Sequence, residues 1–267
     1  MNTIQTYINT VIQGDALKVL KHLPDNSIDC VITSPPYWQL RDYHWQGQWG
    51  LEPTYTEYLE RLWLLMDEIY RVLKTSGTVW INLGDTYFGS GNGSGNPNSD
   101  FNQCKNKTGV APKKPNTNKA NQLKAKCQVL IPHRFAIDCI DRSWIIRNDI
   151  IWAKPNGMPE PVKDRFCKKH EFIFFMAKSP NYYFDLDKVR MPHQASSLER
   201  IKHKWNGNRE KGTAYAKMNI KKMCHKNGKN PSDVSDFWKI TTKSSKDKHY
   251  ASYNSELIET PDRKSVV

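Results

Sequence analysis

The chain has 267 residues, enough to bury one sizeable core and carry a small additional module, and its 38% hydrophobic content suits a folded enzyme. A formal charge of +13, from 40 Lys and Arg against 27 Asp and Glu, points to a polyanionic partner, with nucleic acid the natural choice. No stretch is apolar and long enough to span a membrane and nothing resembles a secretory signal, so the expectation is a cytoplasmic protein without a membrane partner.

In chain order, Thr10–Ile12 and Ile28–Thr33 read as strands flanking a helix over Ala16–His22. From Thr56 to Leu73 the apolar residues Leu59, Leu62, Trp63, Met66, Ile69, Tyr70 and Leu73 recur at helical spacing. Thr56 is placed to cap this helix and Gly77 to end it before a strand over Thr78–Leu83. Pro132–Asp141 reads as a further helix and Ile145–Trp152 as a strand. Glu171–Ala177 is almost continuously apolar, as in a strand covered on both faces. The alternation implies an α/β sheet wrapped by helices.

Two segments break the pattern. Residues 90–126, rich in Gly, Asn, Lys and Pro, read as a flexible insert. The glycines from Gly89 to Gly93 resemble a cofactor loop only superficially, since no helix pattern follows them. Residues 190–236 are dense in Lys and Arg, including Lys202, Lys204 and Arg209, with Trp205 and Tyr215 interleaved. That segment is either a solvated basic linker or a module that meets phosphates and base edges. The six cysteines are scattered without a Cys-x-x-Cys pair, so neither a disulfide scaffold nor a metal site is expected.

The most informative string is Thr33-Ser34-Pro35-Pro36-Tyr37-Trp38, directly after the apolar run Cys30-Val31-Ile32. Prolines stop a strand and withhold the backbone from a neighbouring ladder. The resulting corner presents a hydroxyl, carbonyl oxygens and an aromatic face together, which suits a planar ring bearing an amino group. The oxygens would accept from the NH2 group while Tyr37 stacks on the ring. No cysteine follows the prolines, which disfavours attack by a thiolate on a ring carbon.

Ser-Pro-Pro-Tyr-Trp resembles the catalytic motif of the DNA amino-methyltransferases, in the form associated with N4-methylation of cytosine. Gly14-Asp15-Ala16-Leu17, Arg71-Val72-Leu73-Lys74, Asn82-Leu83-Gly84-Asp85, Asp149 to Asn156, His170-Glu171 and His249 to Tyr253 extend the likeness. The order is the permuted one, with the catalytic motif first. The resemblance implies a Rossmann-like sheet dependent on S-adenosylmethionine, double-stranded DNA as partner, base flipping, and direct displacement at cytosine N4. Adenine N6 is the nearest alternative. A catalytically inactive DNA-binding protein and an amide methyltransferase are more distant ones.

By the same resemblance Ser34, Pro35, Pro36 and Tyr37 form the catalytic corner, and Asp15, Thr33, Tyr250, Ser252 and Tyr253 serve the cofactor. Asp15 reads equally as a helix cap. Trp38, Trp152 and Lys154 are candidates for the base pocket, although both tryptophans also suit core packing. Lys202, Lys204 and Arg209 are candidates for DNA contact, and His170-Glu171 reads as structural. The implied organisation is a catalytic part over 1–89 and 127–189, the insert over 90–126, target recognition over 190–236 and the start of a cofactor-binding part over 237–261. The family's glycine-rich cofactor loop does not occur before Val267, and Asp262 to Val267 matches a translated sequencing adapter. The expectation is therefore a fold incomplete at its C-terminus with a non-native tail over 262–267. A second polypeptide carrying the loop is the alternative.

Overall fold

A computed structural model describes residues 4–43, 45–88, 123–160, 162–202, 225–228, 236–243 and 253–265. Among them, β1 (Ile28–Thr33), β2 (Leu73–Leu83), β3 (Ile145–Ala153), β4 (His170–Ala177) and β5 (Phe237–Lys239) form one sheet in the order β1-β2-β4-β3-β5. The sheet is mixed: β1 with β2 and β3 with β5 are parallel, whereas β4 runs antiparallel to both its neighbours. The helices are α1 (Ala16–Leu20), α2 (Tyr55–Val72), α3 (Ile131–Asp141), α4 (Leu186–Val189), α5 (Ala195–Lys202) and α6 (Ser255–Ser265). No helix among the described residues is long and apolar enough to cross a membrane.

The period of α2 explains its packing. Tyr58, Leu59, Leu62, Leu65, Met66, Ile69 and Val72 are buried, a stripe that lies with α3 over Val79, Ile81, Leu83, Phe172, Phe174 and Met176. The opposite face gathers Trp80, Ile150, Ile173, Phe175 and Trp238 with Leu257 of α6, and Trp80 stacks on Phe175 at 4.2 Å. Phe172 to Ala177 of β4 are all buried because successive side chains feed these two faces in turn.

Three local expectations are corrected. Thr54, not Thr56, caps α2: its hydroxyl accepts from the Glu57 N–H at 3.1 Å, the start of a Thr-x-x-Glu capping pattern. Helix α2 ends at Val72, and Gly77 lies inside β2. There the pairing with β1 jumps from Ile28↔Leu73 to Cys30↔Thr78. A Cβ on Gly77 would fall 2.8 Å from Leu73 Cγ and 2.9 Å from the Asp29 carbonyl, so the glycine permits a close approach rather than ending a helix. Thr10–Ile12 forms no strand; it is exposed coil with Val11 wholly in solvent.

Most of the expected insert (90–122) and much of the basic segment (203–224 and 229–235) lie outside the described residues. Residues 262–265, expected in the tail, continue α6. The C-terminal ends of β1, β2 and β3 and the N-terminal end of β4 meet at one edge of the sheet, where an α/β fold commonly opens its cleft.

Candidate active site

At that edge Thr33 makes the last β1 pair, with Ile81, and the chain turns through Ser34, Pro35 and Pro36. The corner is braced from two sides. The Tyr58 hydroxyl of α2 donates to the Pro36 carbonyl at 2.8 Å, so one of the two proline oxygens is spent on structure. No described residue donates to the Pro35 carbonyl. Gly50, at φ +91°, comes so close that a Cβ there would sit 2.8 Å from the Tyr37 carbonyl.

Tyr37 is more constrained than a free stacking platform. Its ring lies against Gly84, where an added Cβ would approach Tyr37 Cε2 to 2.5 Å. Its hydroxyl lies 2.6 Å from Glu171 Oε2 and 3.0 Å from Asn82 Oδ1, and its single proton serves one of these acceptors at a time. Burial above all, then the Glu171 charge, pushes the Tyr37 pKa well up, so the hydroxyl stays a donor. Asn82 Nδ2 donates to the Phe172 carbonyl at 3.1 Å, and the Ser34 hydroxyl is 3.4 Å from Asn82 Oδ1.

Across the cleft Lys154 Nζ pairs with Glu171 Oε1 and stands 4.1 Å from the centre of the Trp152 ring. The indole of Trp152 is held from behind, its Nε1 donating to the Ile240 carbonyl at 2.9 Å. Pairing of Trp152 with Glu171 across β3 and β4 brings these side chains together. Burial, with the Glu171 charge behind it, pushes the Tyr253 phenol up to about 12.

The cleft is open to solvent on one side and holds about 830 Å³, within the usual range for a small-molecule site. Of the residues expected in the site, Thr33, Ser34, Pro35, Pro36, Tyr37, Trp152, Lys154 and Tyr253 line it. Trp38 does not. It is 5% exposed in the core on the α2 side, and its Nε1 donates to the Glu52 carbonyl at 2.9 Å. Packing against Tyr55 turns the indole away from the cleft. Asp15 does not line it either: its carboxylate accepts from the Lys18 N–H at 3.1 Å and caps α1. Lys202 sits exposed on α5, paired with Glu199 at 2.7 Å. Tyr250, Ser252, Lys204 and Arg209 lie outside the described residues.

Asn82, Gly84 and Glu171 were not among the expected site residues; Glu171, read from the sequence as structural, holds the Tyr37 hydroxyl and Lys154 and also lines the cleft. The available signal was a lone carboxylate opening an otherwise apolar strand, since a buried charge needs a partner.

The family model described as DNA methylase matches residues 28–260. The Type II methyltransferase M.Cfr9I of Citrobacter freundii is 41% identical over 199 residues, covering 74% of this chain and 64% of that protein. M.XycI of Xanthomonas campestris pv. cyanopsidis is 42% identical over 200 residues, covering 75% and 64%. The chain thus spans slightly less than two thirds of the length of these two relatives. Among solved structures, the PvuII DNA methyltransferase (cytosine-N4-specific) aligns with a TM-score of 0.57 at 15% identity, covering 95% of this chain and 69% of that one. That likeness is one of fold.

Proposed function

This chain belongs to the DNA methylase family, and from that premise we propose that it methylates the exocyclic N4 of cytosine in double-stranded DNA, using S-adenosylmethionine. The observation that carries the reading is the corner itself: Ser34 and Pro35, whose carbonyl takes no hydrogen bond from a described residue, line the same cleft as Trp152 and Lys154. The amino nitrogen of cytosine is a poor nucleophile because its lone pair is delocalised into the ring. Acceptance of its N–H protons by Ser34 and Pro35 draws the nitrogen towards tetrahedral geometry and frees the lone pair. Tyr37 offers aromatic surface for the base, and rigid positioning supplies most of the rate gain. The target nitrogen lies inside the duplex, so the base is flipped out at a cost of a few kcal/mol. Attraction of DNA to the +13 chain offsets part of that cost.

Thr33 and Tyr253 bring hydroxyl groups beside apolar Ile32 and Leu257, while Lys243 is paired with Glu256 at 2.5 Å and Asn254 is spent on the Thr241 carbonyl and the Glu256 N–H. Hydroxyls beside apolar surface suit part of a molecule with polar and purine ends, as S-adenosylmethionine has. When bound, that cofactor supplies an electrophilic methyl group on a sulfonium. Cytosine is favoured over adenine by Ser34 at the head of the corner, the form of the motif associated with N4-methylation.

Mass spectrometry of nucleosides from DNA incubated with cofactor and the enzyme completed by the family's glycine-rich loop segment tests the proposal. N4-methylcytosine is expected, with its yield lowered by Ser34→Ala. N6-methyladenine as the product would refute the choice of base.

A further inference from the structure

The polar side chains of the site form a row: Ser34, Asn82, Tyr37, Glu171 and Lys154, each within contact of the next. The proposed function uses the Ser34 end. Lys154, at the other end, is largely buried, with 20% of its side chain exposed, yet it lines the cleft. An ammonium carries three donors. One meets Glu171 Oε1 and the Trp152 ring receives another, while no described residue accepts the third. Desolvating an ammonium is costly unless its donors are used, so this arrangement is suited to an acceptor arriving from the cleft. Glu171 balances the charge of Lys154, which favours a neutral carbonyl over an anionic phosphate.

The Watson–Crick edge of cytosine carries its amino group at one end and the O2 carbonyl at the other. In adenine the amino group is the same, but the far end is a C–H that accepts nothing. We propose that Lys154 donates to O2 of the flipped base and so selects an aminopyrimidine against adenine. This inference rests on the methyltransferase reading and deepens it: Ser34 and Pro35 hold the amine, which both bases have, and Lys154 reads the carbonyl, which only cytosine has. Against adenine the third donor stays buried and unspent, which is the usual origin of strong rejection by a hydrogen-bonding site. Glu171 is a positioning residue here, holding Lys154 and the Tyr37 hydroxyl with its two oxygens.

Binding of the full chain to duplexes with a single bulged cytosine or bulged adenine, followed by fluorescence anisotropy without cofactor, tests this without the cost of base opening. The native chain is expected to prefer the bulged cytosine by roughly 10- to 100-fold, the worth of one charge-assisted hydrogen bond. Lys154→Met should remove the preference by weakening cytosine binding while leaving adenine binding unchanged. Lys154→Arg, which keeps the charge and its donors, should restore part of it, and thermal melts confirm that both variants fold. Equal weakening of both ligands in Lys154→Met, an intact preference in that variant, or no restoration by Arg overturns the proposal. A native chain that binds both bulges tightly but equally overturns it alone. Binding of neither bulge above the perfect duplex overturns the methyltransferase reading with it.

Discussion

Gly84 offers the sharpest test of how the corner is built. The Tyr37 ring lies against it, and a Cβ at this position would come to 2.5 Å from Cε2, 2.9 Å from Cδ2 and 3.3 Å from Cζ. The ring has little room to yield, because its hydroxyl is held near Glu171 at 2.6 Å and Asn82 at 3.0 Å. Gly84→Ala should therefore destabilise the chain by about 1–3 kcal/mol, the usual cost of overpacking a filled site. If the ring swings out instead, the hydrogen bond to the carboxylate is lost, at about 1.5–3 kcal/mol. The backbone at Gly84 is not in the left-handed region, and the three atoms nearest the added methyl group all belong to the Tyr37 ring. Once Tyr37→Ala has removed the ring, the same Gly84→Ala change should become stabilising by about 0.4–1 kcal/mol, through reduced freedom of the unfolded chain. Urea denaturation of the four proteins in this cycle reads the sign directly. A destabilising Gly84→Ala in both backgrounds, or in neither, would refute the reasoning.

Two further outcomes follow from groups in and around the site. Tyr37, Tyr58 and Tyr253 are all held protonated mainly by burial, with folded pKa values above the ordinary 10.0. Their contribution to stability is complete below pH 10 and is lost above it, as the unfolded chain sheds protons that the fold retains. The slope should approach about 1.4 kcal/mol per pH unit for each tyrosine, and for Tyr253 the window closes at about 12. Urea midpoints should begin to fall near pH 9, where the unfolded chain sheds the protons that burial keeps on Cys30 and Cys139, and fall more steeply beyond pH 10, less so for Tyr253→Phe; a Tyr253→Phe chain with the native slope would contradict this. Asp85 accepts from the N–H groups of Leu130 and Ile131 at 3.0 Å each and of Thr86 at 2.9 Å, tying the end of β2 to the start of α3. Asp85→Ala should cost about 2 kcal/mol by equilibrium unfolding, and Asp85→Asn, which keeps one acceptor, about half as much.

How far the site was legible in the sequence depended on distance along the chain. Ser34 to Tyr37 are contiguous, and prolines end a strand wherever it lies, so the corner could be read locally. Glu171 is 134 residues from the hydroxyl it faces, and only the antiparallel registers of β4 against β2 and β3 bring it there. Trp38 shows the converse. Adjacent to the corner in sequence, it packs into the core because the turn after Tyr37 carries its indole towards α2, a direction that no propensity encodes.

The sequence by itself determined the helical stripe of α2, the doubly covered strand β4, the proline corner and the strong positive charge. Each is a property of neighbouring residues: periodicity, a fixed φ, or net charge. Only the tertiary structure decided that β4 runs antiparallel, that Gly77 relieves a crowded register, and that Tyr37, Glu171 and Lys154 join into one row beside the cleft. The reason is physical. Strand registers are chosen by burying both faces of the sheet at once, and the polar groups at the strand ends then become partners as a consequence of that packing.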